Sequence, residues 1–124
     1  MNELKLSKLP HTWIFDLDGT LLKHNGYISS EGDQFLPGAE EFLKSLPEAD
    51  MIIILSARPL ECQKPTEDFL RAHGIRYDKI IFDAPVGERI IVNDEKPHGL
   101  QTSVAVNVKR DQPFDLKFEI DHEK

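Results

Sequence analysis

A chain of 124 residues, 40% hydrophobic and 30% charged, has room for one domain built on one modest core. Its formal net charge of −7 argues against nucleic acid as a partner, because phosphate backbones are gripped by clustered Lys and Arg. Cys62 is the single cysteine, so no internal disulfide forms; no apolar run nears a membrane span, and the N-terminal segment lacks the apolar stretch of a signal peptide. A cytoplasmic protein without membrane contact is expected.

Strand-like and helix-like segments alternate along the chain. Residues 12–17 are apolar, aromatic and β-branched and predict a strand. Residues 20–36 are polar and turn-rich; Asn25-Gly26, between Leu21, Leu22 and Tyr27, Ile28, is a hairpin signal, and the stretch reads as a mobile flap. Pro37-Gly38 opens a helix that runs to about Leu46. Residues 51–55 are continuously apolar, as suits a parallel strand buried on both faces. A helix over 65–73 follows, with Gly74 as its cap. Residues 80–82, 89–92 and 104–108 predict three more strands. In the tail, 111–124, residues 113–120 alternate at period two, which fits equally an edge strand docked on its own domain or a segment paired with another subunit. The alternation predicts a Rossmann-like, doubly wound parallel sheet, an α/β fold of three layers in a single domain over residues 1–124.

Asp16 and Asp18 sit two apart at the end of the first predicted strand. Residues i and i+2 of a strand face the same way, so the two carboxylates converge at its C-terminal edge, where an open α/β sheet carries its chemistry. Gly19 then lets the backbone turn away. The pair repels itself and needs a cation or a shared proton. Ser56 ends the second apolar strand, followed by Ala57 and Arg58. Neighbouring strand ends lie about 5 Å apart, so Ser56 can reach a phosphate held near Asp16, and the planar fork of Arg58 suits phosphate. Asn93-Asp94 ends another apolar run. Asp16, Asp18, Ser56 and Asp94 delivered to one edge form a metal and phosphate site whose oxygen ligands suit Mg²⁺. Taken singly, an Asp after a strand is as readily a helix cap or turn residue, Ser56 a cap and Arg58 a solvated charge. The paired aspartates weigh towards function, because an unpaired buried charge is expensive.

The run Phe15-Asp16-Leu17-Asp18-Gly19-Thr20-Leu21-Leu22 resembles the first motif of the haloacid dehalogenase superfamily of phosphohydrolases. Ser56 resembles its second motif and Asn93-Asp94 its metal-binding last motif, and Pro37-Gly38 before the first helix is also similar. The resemblance covers about residues 12–108. It implies that Asp16 attacks phosphorus to form an aspartyl phosphate, and that Asp18 protonates the leaving oxygen and later activates water. It implies Mg²⁺ held by the Asp16 and Asp94 carboxylates and the Asp18 carbonyl, with Ser56, Ala57 and Arg58 around the phosphoryl group. The substrate class implied is a small-molecule phosphate ester, with a sugar phosphate the first guess from similarity to small bacterial surface-polysaccharide proteins.

Two features set this chain apart from the pattern. The family's third-motif lysine falls where the chain has Phe82-Asp83-Ala84-Pro85, so Ala84 replaces it, and Lys79, Arg89 and Lys96 are the candidate substitutes. Lys96 is attractive because it follows Asp94 closely. The intervals from Asp18 to Pro37 and from Ser56 to Asp94 are too short for an inserted cap domain, so an open site covered by the flap or by a second copy in a homo-oligomer is expected. The absent lysine favours a competing expectation, a phospho-ligand or partner-binding module with weakened turnover. Transfer of the phosphoryl group to an acceptor other than water is a third.

Overall fold

The computed structural model describes residues 3–124. Along the chain run β1 (Glu3–Leu6), β2 (Thr12–Asp16), α1 (Ala39–Ser45), β3 (Met51–Leu55), α2 (Gln63–Ala72), β4 (Lys79–Ile81) and β5 (Lys117–Ile120). The fold is α/β with parallel sheets. One sheet has the order β2-β3-β4; a separate pair joins β1 to β5. All of these pairings are parallel, with Trp13 opposite Ile52, Phe15 opposite Ile54, and Ile54 opposite Ile80.

Local chemistry explains where the helices begin and end. Pro65 lies in the first turn of α2, where its missing N–H has no intrahelical partner to lose. Beyond α2, Gly74 takes a left-handed φ of 70°, its N–H bonds the Arg71 carbonyl at 2.9 Å, and the Ile75 N–H bonds the Leu70 carbonyl at 3.0 Å. These two bonds are a Schellman cap, as the glycine's position led us to expect.

The connections β2–α1–β3 and β3–α2–β4 step the same way across the sheet, and right-handed crossovers then put both helices on one face. Trp13, Phe15, Ile52 and Ile54 are buried on that face, in one cluster with Ala39 and Leu43 of α1 and Leu70 of α2. On the opposite face Ile14, Met51 and Ile81 are exposed. The described residues therefore make two layers where three were expected.

The fourth and fifth strands expected over 89–92 and 104–108 do not form. Ile90 is 83% exposed and Val92 92% exposed, and neither run pairs with the sheet. The segment closes on itself instead. Asn93 Nδ2 donates to Thr102 Oγ1 at 2.9 Å, and a turn joins the Lys96 N–H to the Leu100 carbonyl at 2.9 Å, with Gly99 at φ 100°. Side-chain and turn bonds of this kind compete with a ladder for the backbone.

The tail docks on its own chain. Phe118 lies 5.1 Å from Trp13, and Phe114 lies 4.9 Å from Phe42, ring centre to ring centre. The Phe114 N–H bonds the Pro37 carbonyl at 2.7 Å. A Cβ at Gly38 would stand 2.5 Å from the Phe114 carbonyl oxygen, and its φ is 86°, so only glycine fits. The partner strand β1 was not anticipated, although Leu4 and Leu6 alternate with Glu3 and Lys5. Among the described residues, no helix is long and apolar enough to cross a membrane.

Asp50, buried before β3, accepts from the Trp13 indole Nε1–H at 2.9 Å and from the His11 N–H at 3.0 Å. Asp50→Ala orphans both donors and is expected to cost about 2–3 kcal/mol. Urea unfolding followed by Trp13 fluorescence measures the loss.

Candidate functional site

Asp16 closes β2 with its side chain 40% exposed. Its Oδ2 accepts from Thr20 Oγ1–H at 2.9 Å and its Oδ1 from Arg89 Nη1–H at 3.0 Å. Leu17, fully buried, anchors the turn that follows: its carbonyl accepts the N–H groups of Leu21 and Leu22, both at 3.0 Å. Gly19 makes that turn at φ 85°, and a Cβ there would meet Arg110 Cγ at 3.1 Å. Asp16, Asp18, Gly19, Thr20, Val108 and Arg110 line a cleft of about 240 Å³. Both aspartates line this cleft, Asp16 from the end of β2 and Asp18 from the turn beyond it.

Their partners differ. Asp18 is 17% exposed, and both of its oxygens accept from Arg58: Oδ2 from Nε at 3.0 Å and Oδ1 from Nη2 at 2.8 Å. Arg58 is only 2% exposed. Its remaining N–H groups go to Asp33 of the flap, at 3.0 and 2.7 Å, and to Thr66 of α2 at 2.8 Å. All five guanidinium N–H donors are thus used within the protein. Burial pushes the guanidinium pKa down, but hydrogen bonds and charge from Asp18 and Asp33 outweigh it, and the pKa rises above its ordinary value. The sequence-based assignment of Arg58 to phosphate is corrected: its fork faces two carboxylates and has no donor left.

Ser56 is buried at the end of β3, and its Oγ accepts the Arg58 N–H at 3.0 Å. Its backbone N–H bonds the Ile81 carbonyl and its carbonyl the Ala84 N–H. It organises the loop that aims Arg58 and does not line the cleft, and Ala57 is exposed beside it. Lys96 sits in the exposed turn described above and does not line the cleft. Asp94 is exposed, and its carbonyl accepts from Thr102 Oγ1.

The magnesium site expected from Asp16, Asp18 and Asp94 is not assembled. No group of three or more His, Cys, Asp or Glu side chains among the described residues is arranged to hold a metal ion. Asp16 is engaged by Thr20 and Arg89, Asp18 by Arg58, and Asp94 lies on a separate loop. As arranged, these residues do not fit the ion.

A cation reaches Asp16 by another route, and a second lines the cleft. Of the residues offered in place of the third-motif lysine, Arg89 is the one brought to Asp16. Lys79 begins β4 and is exposed. Arg110, which sequence reasoning missed, is carried in by the tail: the Asp111 N–H bonds the Gly19 carbonyl at 2.9 Å, and Asp111 Oδ1 accepts the His24 N–H at 2.8 Å. Nothing in the local sequence around Lys109-Arg110 points to the cleft; the docking of the tail does. Comparison of the chain with protein-family models, with curated proteins and with solved structures gave no match.

Proposed function

We propose that this protein is a phosphohydrolase acting on a phosphate monoester, a sugar phosphate by first choice, through a phosphoaspartate on Asp16, with the Rossmann-like haloacid dehalogenase core that the sequence resemblance implies. One observation carries the reading: Asp16 is a half-exposed carboxylate at the C-terminal tip of a parallel strand, opening on a cleft with Arg89 and Arg110 beside it. Guanidinium groups there relieve the repulsion between a carboxylate nucleophile and a phosphate dianion.

In the proposed reaction an Asp16 oxygen bonds to phosphorus as the phosphorus–ester oxygen bond breaks. Arg89 and Arg110 hold the non-bridging oxygens, where charge develops. Asp18 passes a proton to the leaving oxygen, which requires one of its oxygens to exchange Arg58 for the substrate. Water then attacks phosphorus and gives a proton to Asp18, the phosphorus–Asp16 bond breaks, and inorganic phosphate leaves. A cytoplasmic location belongs to the proposal through the sequence alone, and so does a magnesium requirement, which Asp16, Asp18 and Asp94 would meet only after rearranging.

The second reading, a phospho-ligand or partner-binding module, is favoured by Arg58 occupying both Asp18 oxygens and by Asp94 lying apart from them. Phosphate release from a panel of sugar phosphates, with and without Mg²⁺, separates the two. Asp16→Asn is expected to bring release to background; equal release by wild type and variant removes the hydrolase reading, and binding without release supports the module.

Arg110→Ala and Arg89→Ala are each expected to raise the inhibition constant of inorganic phosphate about tenfold, as loss of a charge-assisted hydrogen bond does. The open face with Ile14, Met51 and Ile81 supports the homo-oligomer expected for a capless site. Light scattering at micromolar concentration is expected to give more than the monomer mass of 14.2 kDa.

A further inference from the structure

The mechanism above leaves unexplained why a buried arginine is divided between two carboxylates from different loops. The flap closes at its base through the Lys23 N–H and Gln34 carbonyl at 2.9 Å. Above that base it stands off from α2 across a cavity of about 260 Å³, with Tyr27 and Asp33 on the flap side and Cys62, Pro65 and Phe69 on the other. Arg58 crosses this gap. Its guanidinium carbon lies 4.2 Å from the centre of the Tyr27 ring, and its fork holds Asp33. The flap's other polar attachment described above, His24 to Asp111, is exposed. Nη2 gives one N–H to Asp33 and one to Asp18, so the flap and the site share a single nitrogen.

We propose that Arg58 is a positioning residue that couples closure of the flap to the placement of the Asp18 carboxylate. When the flap lifts, Asp33 and Tyr27 leave the guanidinium. Asp18 is then its remaining carboxylate, and the bonds to Asp18 and Thr66 alone set the plane of the fork. When the flap closes, Asp33 fixes the plane of the fork and with it the orientation of Asp18. Lysine cannot replace this, since a point charge on one nitrogen lacks the two-sided planar fork. Only the consequence for turnover rests on the phosphohydrolase reading; the link between flap and Asp18 does not.

Hydrogen exchange of the flap amides, read together with the pH profile of phosphate release, tests the coupling. Asp33→Asn keeps the shape of the side chain and removes its charge. It is expected to speed exchange over residues 24–34 about tenfold or more, as loss of a charged hydrogen bond does, and to shift the pH profile although Asp33 does not line the cleft. Arg58→Lys is expected to loosen the flap to the same degree, and the double variant no further, because both changes break one unit. Thr66→Val removes the α2 partner of Arg58 and is expected to leave flap exchange as in the wild type. The proposal is overturned if Asp33→Asn leaves flap exchange unchanged, if the two substitutions add, or if Thr66→Val loosens the flap equally. Should the wild type release no phosphate from any ester, the hydrolase reading fails while the exchange data still judge the coupling.

Discussion

The arrangement turns on one buried guanidinium. Arg58 sits just beyond β3 and binds a carboxylate from the turn after β2, a carboxylate from the flap and a hydroxyl on α2. A buried ion is costly by several kcal/mol until paired, so the segments that supply its partners are held wherever the arginine is held. Complete use of its donors makes the geometry over-determined. Any one of these elements can move only by leaving a charge or a polar group unpaired in a dry interior. The same fact changes the chemistry expected at the site, because an arginine so committed holds the Asp18 carboxylate and has no donor left for a phosphate.

A second constraint is the direction in which the chain winds. Both crossovers step one way, so the helices share a face and leave the other to solvent. The buried face is closed by more than the helices. Phe114 and Phe118 from the tail extend the aromatic cluster of Trp13, Phe15 and Phe42. Aromatic side chains bury large areas and pack edge to face, so few of them suffice to seat a terminal strand. The tail thereby becomes part of the site: the turn that carries Arg110 is bonded to Gly19 and His24 and brings that side chain against the aspartate turn.

The charge balance of the cleft differs from that of the chain as a whole. A net charge of −7 would repel a phosphate ester from the surface at large. Around Asp16 that excess is evened out, since Arg89 bonds the Asp16 carboxylate and Arg110 lines the same cleft, two cations from segments remote in sequence set against Asp16 and Asp18. Local charge of this kind is worth more in a partly desolvated cleft than across open water. The cleft is therefore less repellent to an anion than the remainder of the surface.

The sequence by itself determined the elements whose signals are local. The apolar runs over β2 and β3, the glycine cap after α2 and the turn at Gly19 depend on side chains a few residues apart, and they were legible. So was the place of Asp16 at a strand end, whereas Asp18 lies in the turn beyond β2, outside the extended stretch whose period paired the two. Tertiary structure decided the rest. Residues 89–92 have the composition of a strand, but a strand exists only where an edge accepts its ladder, and bonds from Asn93 and Lys96 closed that segment on itself. Asp94 stayed with it, away from the aspartates. The partners of Arg58 and the arrival of Arg110 depend on contacts between residues tens of positions apart. Composition and periodicity carry no record of such contacts, because burial and charge pairing are settled only when the layers meet.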